Sequence, residues 1–199
     1  MKKFAYIIGL ALFALAWNGC GGDDGGGEEP GTPAVTWTLK SDIAGLDDEG
    51  MKAALSHVRV YLYDGEEKLL SVEKCASAGE LKGTELEAGT YTAVLVGNVP
   101  DDGNITTETV GSALGEMEVV LRNEEGAAYY TALGDVMYGK ATFTVGEEDE
   151  AVTIGVRRTQ AATRVTMTDY SGAVGSAGVL VRNAGTRMGL DDASWEEPG

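Results

Sequence analysis

The groups with chemistry to offer in this 199-residue sequence are two thiols, one imidazole and a large excess of carboxylates. A thiol nucleophile needs a base beside it, and nothing in the spacing brings the sole histidine, His57, to Cys75. A small buried or loop residue is the plainer reading of Cys75, and a strand-head residue that of His57. No HExxH, GxSxG, P-loop or CxxC pattern occurs. Carboxylate pairs of the kind that cleave glycosides arise by chance in a chain with 32 acids. Asp101-Asp102-Gly103-Asn104 offers oxygens to calcium but lacks the spaced ligands and distal glutamate of an EF-hand loop, so it reads as a turn. The expectation is a non-enzyme, with no catalytic residue, metal or cofactor.

Cys20 sits in a different context. Lys2 and Lys3 precede a 14-residue apolar run, Phe4 to Trp17. That is short for a span, which needs about 20 residues, and it fits the apolar core of a secretory signal. Gly19-Cys20 stands where a lipoprotein signal peptidase cuts before a cysteine that is then acylated, although Trp17 and Asn18 depart from the usual lipobox. The alternative is an ordinary signal, or an uncleaved anchor, with an incidental cysteine. Gly21 to Gly31, GGDDGGGEEPG, has no apolar surface to bury and reads as a flexible spacer. A lipid on Cys20 explains that spacer, because a folded domain must stand off its membrane, and two or more acyl chains give durable attachment. Asp23 and Asp24 resemble the export signal of Bacteroidota surface lipoproteins, which implies an outer-membrane location facing outward. Residues 1–19 are thus read as signal peptide and 20–33 as lipidated tether.

Without residues 1–19 the chain has 180 residues and its net charge moves from −17 to −19. Such a charge repels nucleic acid and anionic lipid surfaces. With Cys20 acylated, Cys75 has no disulfide partner, so stability must come from a packed core.

The elements after the tether alternate with period two. Val35, Trp37 and Leu39 share one face. Val58, Val60 and Leu62 share another, with Arg59, Tyr61 and Tyr63 opposite. Asp64 to Glu67 reads as a hairpin turn with Gly65 in the left-handed region, and Lys68 to Val72 as the return strand. Thr90 to Val96 is apolar on both faces, as a central strand would be. Met117, Val119 and Leu121 alternate, as do Ala141, Phe143 and Val145, then Val152, Ile154 and Val156. Only Asp47 to Ser56 has helical character. Seven such strands between 35 and 157 predict an all-β antiparallel sandwich over residues 34–160. Residues 161–199 hold two further short runs, around Val165 and Met167 and around Val179 and Val181. A lone strand pair is marginal in water. This region is therefore the start of a truncated second β domain, a tail packing on the first, or strands that pair with another chain.

The order of features resembles the fimbrillin-associated anchor lipoproteins of Bacteroidota fimbriae: the cysteine at 20, "VRVYLYD", "LEAGTYTAVLVGN", "DVMYG" and "VTIGVRRTQAATRVTM", over residues 20 to about 170. The resemblance implies transthyretin-like β-sandwich domains in tandem, of which the second is incomplete here. It implies a fimbrial anchor or assembly subunit, held in the outer membrane and partnered by a shaft subunit. A sandwich short of one strand would take that partner's strand, with Val165, Met167, Val179 and Val181 as pairing residues. The competing expectation is a glycan- or peptide-binding surface lipoprotein of a nutrient uptake system. Trp37, Tyr61, Tyr63, Tyr91, Tyr129 and Tyr130 are its available aromatics, and Tyr129-Tyr130 is the best exposed pair.

Overall fold

The computed structural model describes residues 31–100, 104–122, 133–160 and 185–196. The strands are β1 (Ala34–Ser41), β2 (Ser56–Tyr63), β3 (Leu69–Ser77), β4 (Thr84–Glu85), β5 (Gly89–Gly97), β6 (Glu118–Val120), β7 (Met137–Val145), β8 (Glu150–Arg158), β9 (Arg187–Gly189) and β10 (Trp195–Glu196). Among the described residues one α-helix, α1 (Asp48–Ala54), interrupts them. No helix among the described residues is long and apolar enough to cross a membrane.

Seven strands form one sheet in the order β3-β2-β5-β7-β8-β1-β4, and three form a second, β10-β9-β6. The alternation anticipated in β1, β2, β7 and β8 puts Val35, Leu39, Val58, Val60, Val145, Val152, Ile154 and Val156 into one buried cluster. Strand β5 is central as expected, paired with β2 on one side and β7 on the other. Its Ala93 and Leu95 enter this inner core while Val94 and Val96 enter a second core on the opposite face. The sheet departs from the antiparallel expectation in one place. β1 and β8 run parallel, Val35 facing Glu150 through Ser41 facing Val156. Parallel neighbours require a long crossover, and the whole of β2 to β7 lies between these two.

The helix follows its caps. The Asp47 carboxylate accepts the Gly50 N–H at 2.7 Å, and Asp48 and Glu49 occupy the first turn, which satisfies an orphan donor and suits the helix dipole. Its buried face is Met51, which with Leu55 closes the inner core.

The hairpin between β2 and β3 is built differently from the expectation. Gly65 is not in the left-handed region. Glu67 is, at φ 58°. The Asp64 carboxylate makes the turn by accepting the N–H groups of Glu66 and Lys68, each at 2.9 Å, so the chain needs no glycine there.

The outer core lies under the second sheet. Met117 and Val119 from the β6 region meet Met188, Leu190 and Ala193 over Tyr61, Tyr63 and Tyr138. Residues 187–189 pair with 118–120, so the described part of the region beyond 161 shares a core with the strands before it.

Candidate functional site

Several residues singled out from sequence lie outside the described residues: Cys20, Val165, Met167, Val179, Val181, Tyr129 and Tyr130, as do Asp101, Asp102 and Gly103. Asn104 is described and has a structural role, its side-chain amide donating to the Val120 carbonyl at 2.8 Å. Among the described residues no group of three or more candidate ligands could hold a metal.

Sequence spacing left His57 and Cys75 apart, yet both line one recess of about 280 Å³ with Arg59, Lys74 and Pro100. The pairing of Val58 with Cys75 in the β2–β3 ladder brings them together. The pair is not poised as a nucleophile and base. Burial, then the nearby carboxylates of Glu73 and Glu80, push the Cys75 thiol up from its ordinary value, whereas a nucleophile needs the opposite. His57 is exposed at φ 48°, its ring 3.3 Å from the Ser56 hydroxyl.

The aromatics divide. Tyr61 and Tyr63, available on paper to stack on a sugar, are fully buried. Tyr61 donates to Glu108 at 3.0 Å, Tyr63 to the Met117 sulfur at 2.9 Å and Tyr138 to the Leu190 carbonyl at 2.9 Å. Burial raises all three hydroxyls, Tyr138 to about 12. Trp37 is half-buried, edge-on to Phe143 with ring centres 6.0 Å apart, as its place on the apolar face of β1 suggests.

The feature with most capacity to engage another molecule is the seam where the curled sheet fails to close. Its two ends are β3, nine residues long, and β4, only two. Edge strands carry main-chain donors and acceptors that attract foreign strands. Here residues 78–85 fold back and the crossing is made by side chains. Glu73 on β3 accepts the Trp37 indole N–H at 3.1 Å and the Lys82 main-chain N–H at 2.6 Å. Glu80 accepts the Ala76 main-chain N–H at 3.2 Å and the Ser77 hydroxyl at 3.1 Å. Beneath the crossing is a cavity of about 320 Å³ with Trp37, Val60 and Leu62 as its apolar part and Ser71, Glu73 and Thr84 as its polar part. Gly83 makes the close approach possible. At φ +82°, a Cβ there would stand 2.1 Å from the Val35 carbonyl oxygen. Leu70 and Val110 are the exposed large apolar side chains among the described residues, and they flank Leu69, whose N–H and carbonyl pair with Ser112 and Gly111.

The sequence profile of the fimbrillin-A associated anchor proteins Mfa1 and Mfa2 matches residues 29–188. No protein of curated function matches the chain. Among solved structures, a candidate polysaccharide-binding protein from Bacteroides thetaiotaomicron is similar at 18% identity, covering 83% of this chain and 63% of that one, with a TM-score of 0.56. A candidate adhesin from the same organism is similar at 13% identity, 86% and 62% coverage and a TM-score of 0.57. The chain thus spans less than two thirds of either structure. At these identities the likeness is one of fold.

Proposed function

Because the chain belongs to the family of fimbrillin-A associated anchor proteins, we propose that it is an anchor or assembly subunit of a fimbria, tethered to the outer membrane by an acylated Cys20. Family membership supports a fimbrial or adhesin-like role at the cell surface, and it is the observation that carries the reading. The mechanism proposed is strand addition, in which a fibre subunit's extended segment pairs with an open edge. Such a joint gains affinity from main-chain hydrogen bonds and specificity from side-chain pockets. The edge of β3 beyond Leu69, whose own main chain pairs with Ser112 and Gly111, has an apolar cavity beside it and supports that mechanism. The runs at Val165, Met167, Val179 and Val181 are further proposed pairing segments. The lipid supplies the fixed end: the signal-like residues 1–19, Cys20 and the glycine-acid spacer support it.

The test is a pull-down from detergent-solubilised outer membranes with the tagged chain, intact and as Cys20→Ser, comparing boiled and unboiled samples. The expected result is a heat-sensitive ladder containing a fibre subunit from the intact chain, and release of the chain into the medium for Cys20→Ser. A membrane-bound chain with no fibre subunit in either form overturns the fimbrial reading. It would favour a glycan- or peptide-binding lipoprotein, the class suggested by the description of one similar structure as a candidate polysaccharide-binding protein.

A further inference from the structure

We propose that residues 78–85 are a displaceable strap over the outer edge of β3, held by the carboxylates of Glu73 and Glu80, and that a partner's extended strand takes their place. The proposal rests on the strand-addition reading and names the edge, the kind of occupant and what gates it.

The chemistry of the present cover identifies the occupant. A sheet edge normally finishes its main-chain donors and acceptors with another strand. Here the edge donor at Ala76 is finished by the Glu80 carboxylate, which supplies an acceptor oxygen where a strand would present a carbonyl, while Glu73 on β3 holds the strap by accepting the Lys82 N–H. The Ala76 N–H can exchange its bond for one to an incoming main chain, and the Lys82 N–H, lifted with the strap, is satisfied by water. The charged residues of the strap face solvent. Lys82 and Glu85 are exposed, Glu80 is exposed, and β4 contributes only two residues of ladder to β1. Its apolar residues Ala78 and Leu81, with Leu86 just beyond it, are partly buried against the inner core. Lifting the centre opens the cavity lined by Trp37, Val60 and Leu62. The occupant is therefore a strand of another protein that offers main-chain pairing to β3 and an apolar side chain to this cavity. Gly83 is part of the device, because it lets the strap lie against the Val35 carbonyl without a Cβ in between.

The test uses the chain lacking residues 1–19 and a fluorescein-labelled nine-residue peptide of alternating threonine and valine. Binding rate is read by anisotropy, and the site of binding by hydrogen exchange along residues 69–86. Glu73→Ala, Glu80→Ala and Gly83→Ala each loosen the strap from a different contact. The two glutamate variants are each expected to raise the association rate by about tenfold, the scale of one hydrogen bond to a charged group. Exchange should be faster at Lys82 for Glu73→Ala and at Ala76 for Glu80→Ala. Gly83→Ala, which forces the strap off the Val35 carbonyl, should raise the rate in the same direction. Peptide binding should then protect residues 71–76. Glu66→Ala, at an exposed turn position, should leave both unchanged. If Glu73→Ala fails to fold by circular dichroism, Glu73→Gln, which keeps one acceptor oxygen without the charge, carries the same test. Unchanged rates in the folded strap variants, or peptide protection elsewhere than 71–76, overturn the proposal. A fibre subunit recovered on the intact chain together with unchanged strap variants would sink the strap and leave the fimbrial reading standing. The strap result as expected, with no fibre subunit recovered, would do the reverse.

Discussion

The two faces of the β2-β5-β7 sheet are buried by different means. The inner face is covered by the sheet's own curl together with α1, and its buried cluster is aliphatic: Val58, Val60, Ala93, Leu95, Met137 and their neighbours on β1 and β8. The outer face presents three tyrosines, and its cover comes from short pieces far apart in the chain: Ile105, Leu114, Met117, Val119, Met188 and Leu190. The first is secured by apolar area alone, which is non-directional. The second must also satisfy three buried hydroxyls, each with a specific partner on the cover, because a buried hydroxyl left unpaired is costly. An apolar core of long strands tolerates small shifts. A core fastened by hydroxyls fixes the position of whatever is laid on it.

That contrast can be broken most forcefully by cavities. Leu95→Ala in the inner core and Met188→Ala in the outer core remove comparable apolar volume, and each is expected to cost about 3 kcal/mol. The chain without residues 1–19 retains two tryptophans: Trp37, packed on the inner core, and Trp195, packed on the outer one. In urea titrations with single-tryptophan variants, Leu95→Ala should move both midpoints together, because β5 serves both cores. Met188→Ala should release Trp195 before Trp37. Coincident transitions in Met188→Ala would mean that the cover is no less cooperative than the sheet.

A gentler separation uses alkali. Burial raises the Tyr138 hydroxyl from 10.0 to about 12 and raises Tyr61 and Tyr63 as well. A group that holds its proton more tightly when folded contributes its full stability below the unfolded value and loses it as pH climbs through the folded one. The fold should therefore be level up to about pH 10 and weaken between 10 and 12. Tyrosinate absorbance should appear in step with loss of the outer cover and with the Trp195 signal. Tyr138→Phe should lessen that decline without abolishing it, because Tyr61 and Tyr63 are raised as well. Tyrosinate formation well below the loss of Trp195 packing would show the hydroxyls to be open to solvent.

What was legible in the sequence follows the same division. The inner face could be read from period-two alternation, because Val35 and Leu39 on β1 and Val152, Ile154 and Val156 on β8 lie on one face of each strand and are buried. The central position of β5 was legible because it lacks a polar face. Of the outer cover only Met117 and Val119, which alternate, were legible: Glu108 and Leu114 lie in a stretch without periodicity, and Met188 to Ala193 follow a long separation, so nothing local marks them as core. The parallel pairing of β1 with β8 is likewise a property of ends that meet only in the fold. The return strand was read as stopping at Val72, which left Glu73 outside it. In fact β3 continues to Ser77, and Glu73 becomes the residue that crosses the seam. The sequence offers only a glycine at position 83, whose left-handed φ and close approach to Val35 belong to the fold.

The smallest effect sharpens the comparison at the hairpin where the two regions join. Its turn touches the outer cover directly, with the Leu114 N–H donating to the Glu67 carbonyl at 3.0 Å. Asp64→Ala removes the acceptor for two main-chain N–H groups and should cost about 1 kcal/mol. Most of that loss should appear in the Trp195 transition, because the turn fastens the cover and not the curl. Gly65→Ala should change stability by no more than about 0.5 kcal/mol. Its φ is not left-handed and an added Cβ meets only the Thr90 carbonyl at 3.4 Å. The pair is read from urea midpoints on one tryptophan at a time. If Gly65→Ala proved the more damaging, glycine freedom and not the Asp64 carboxylate would be shaping the turn. If Asp64→Ala weakened Trp37 and Trp195 equally, the hairpin would belong to both faces alike.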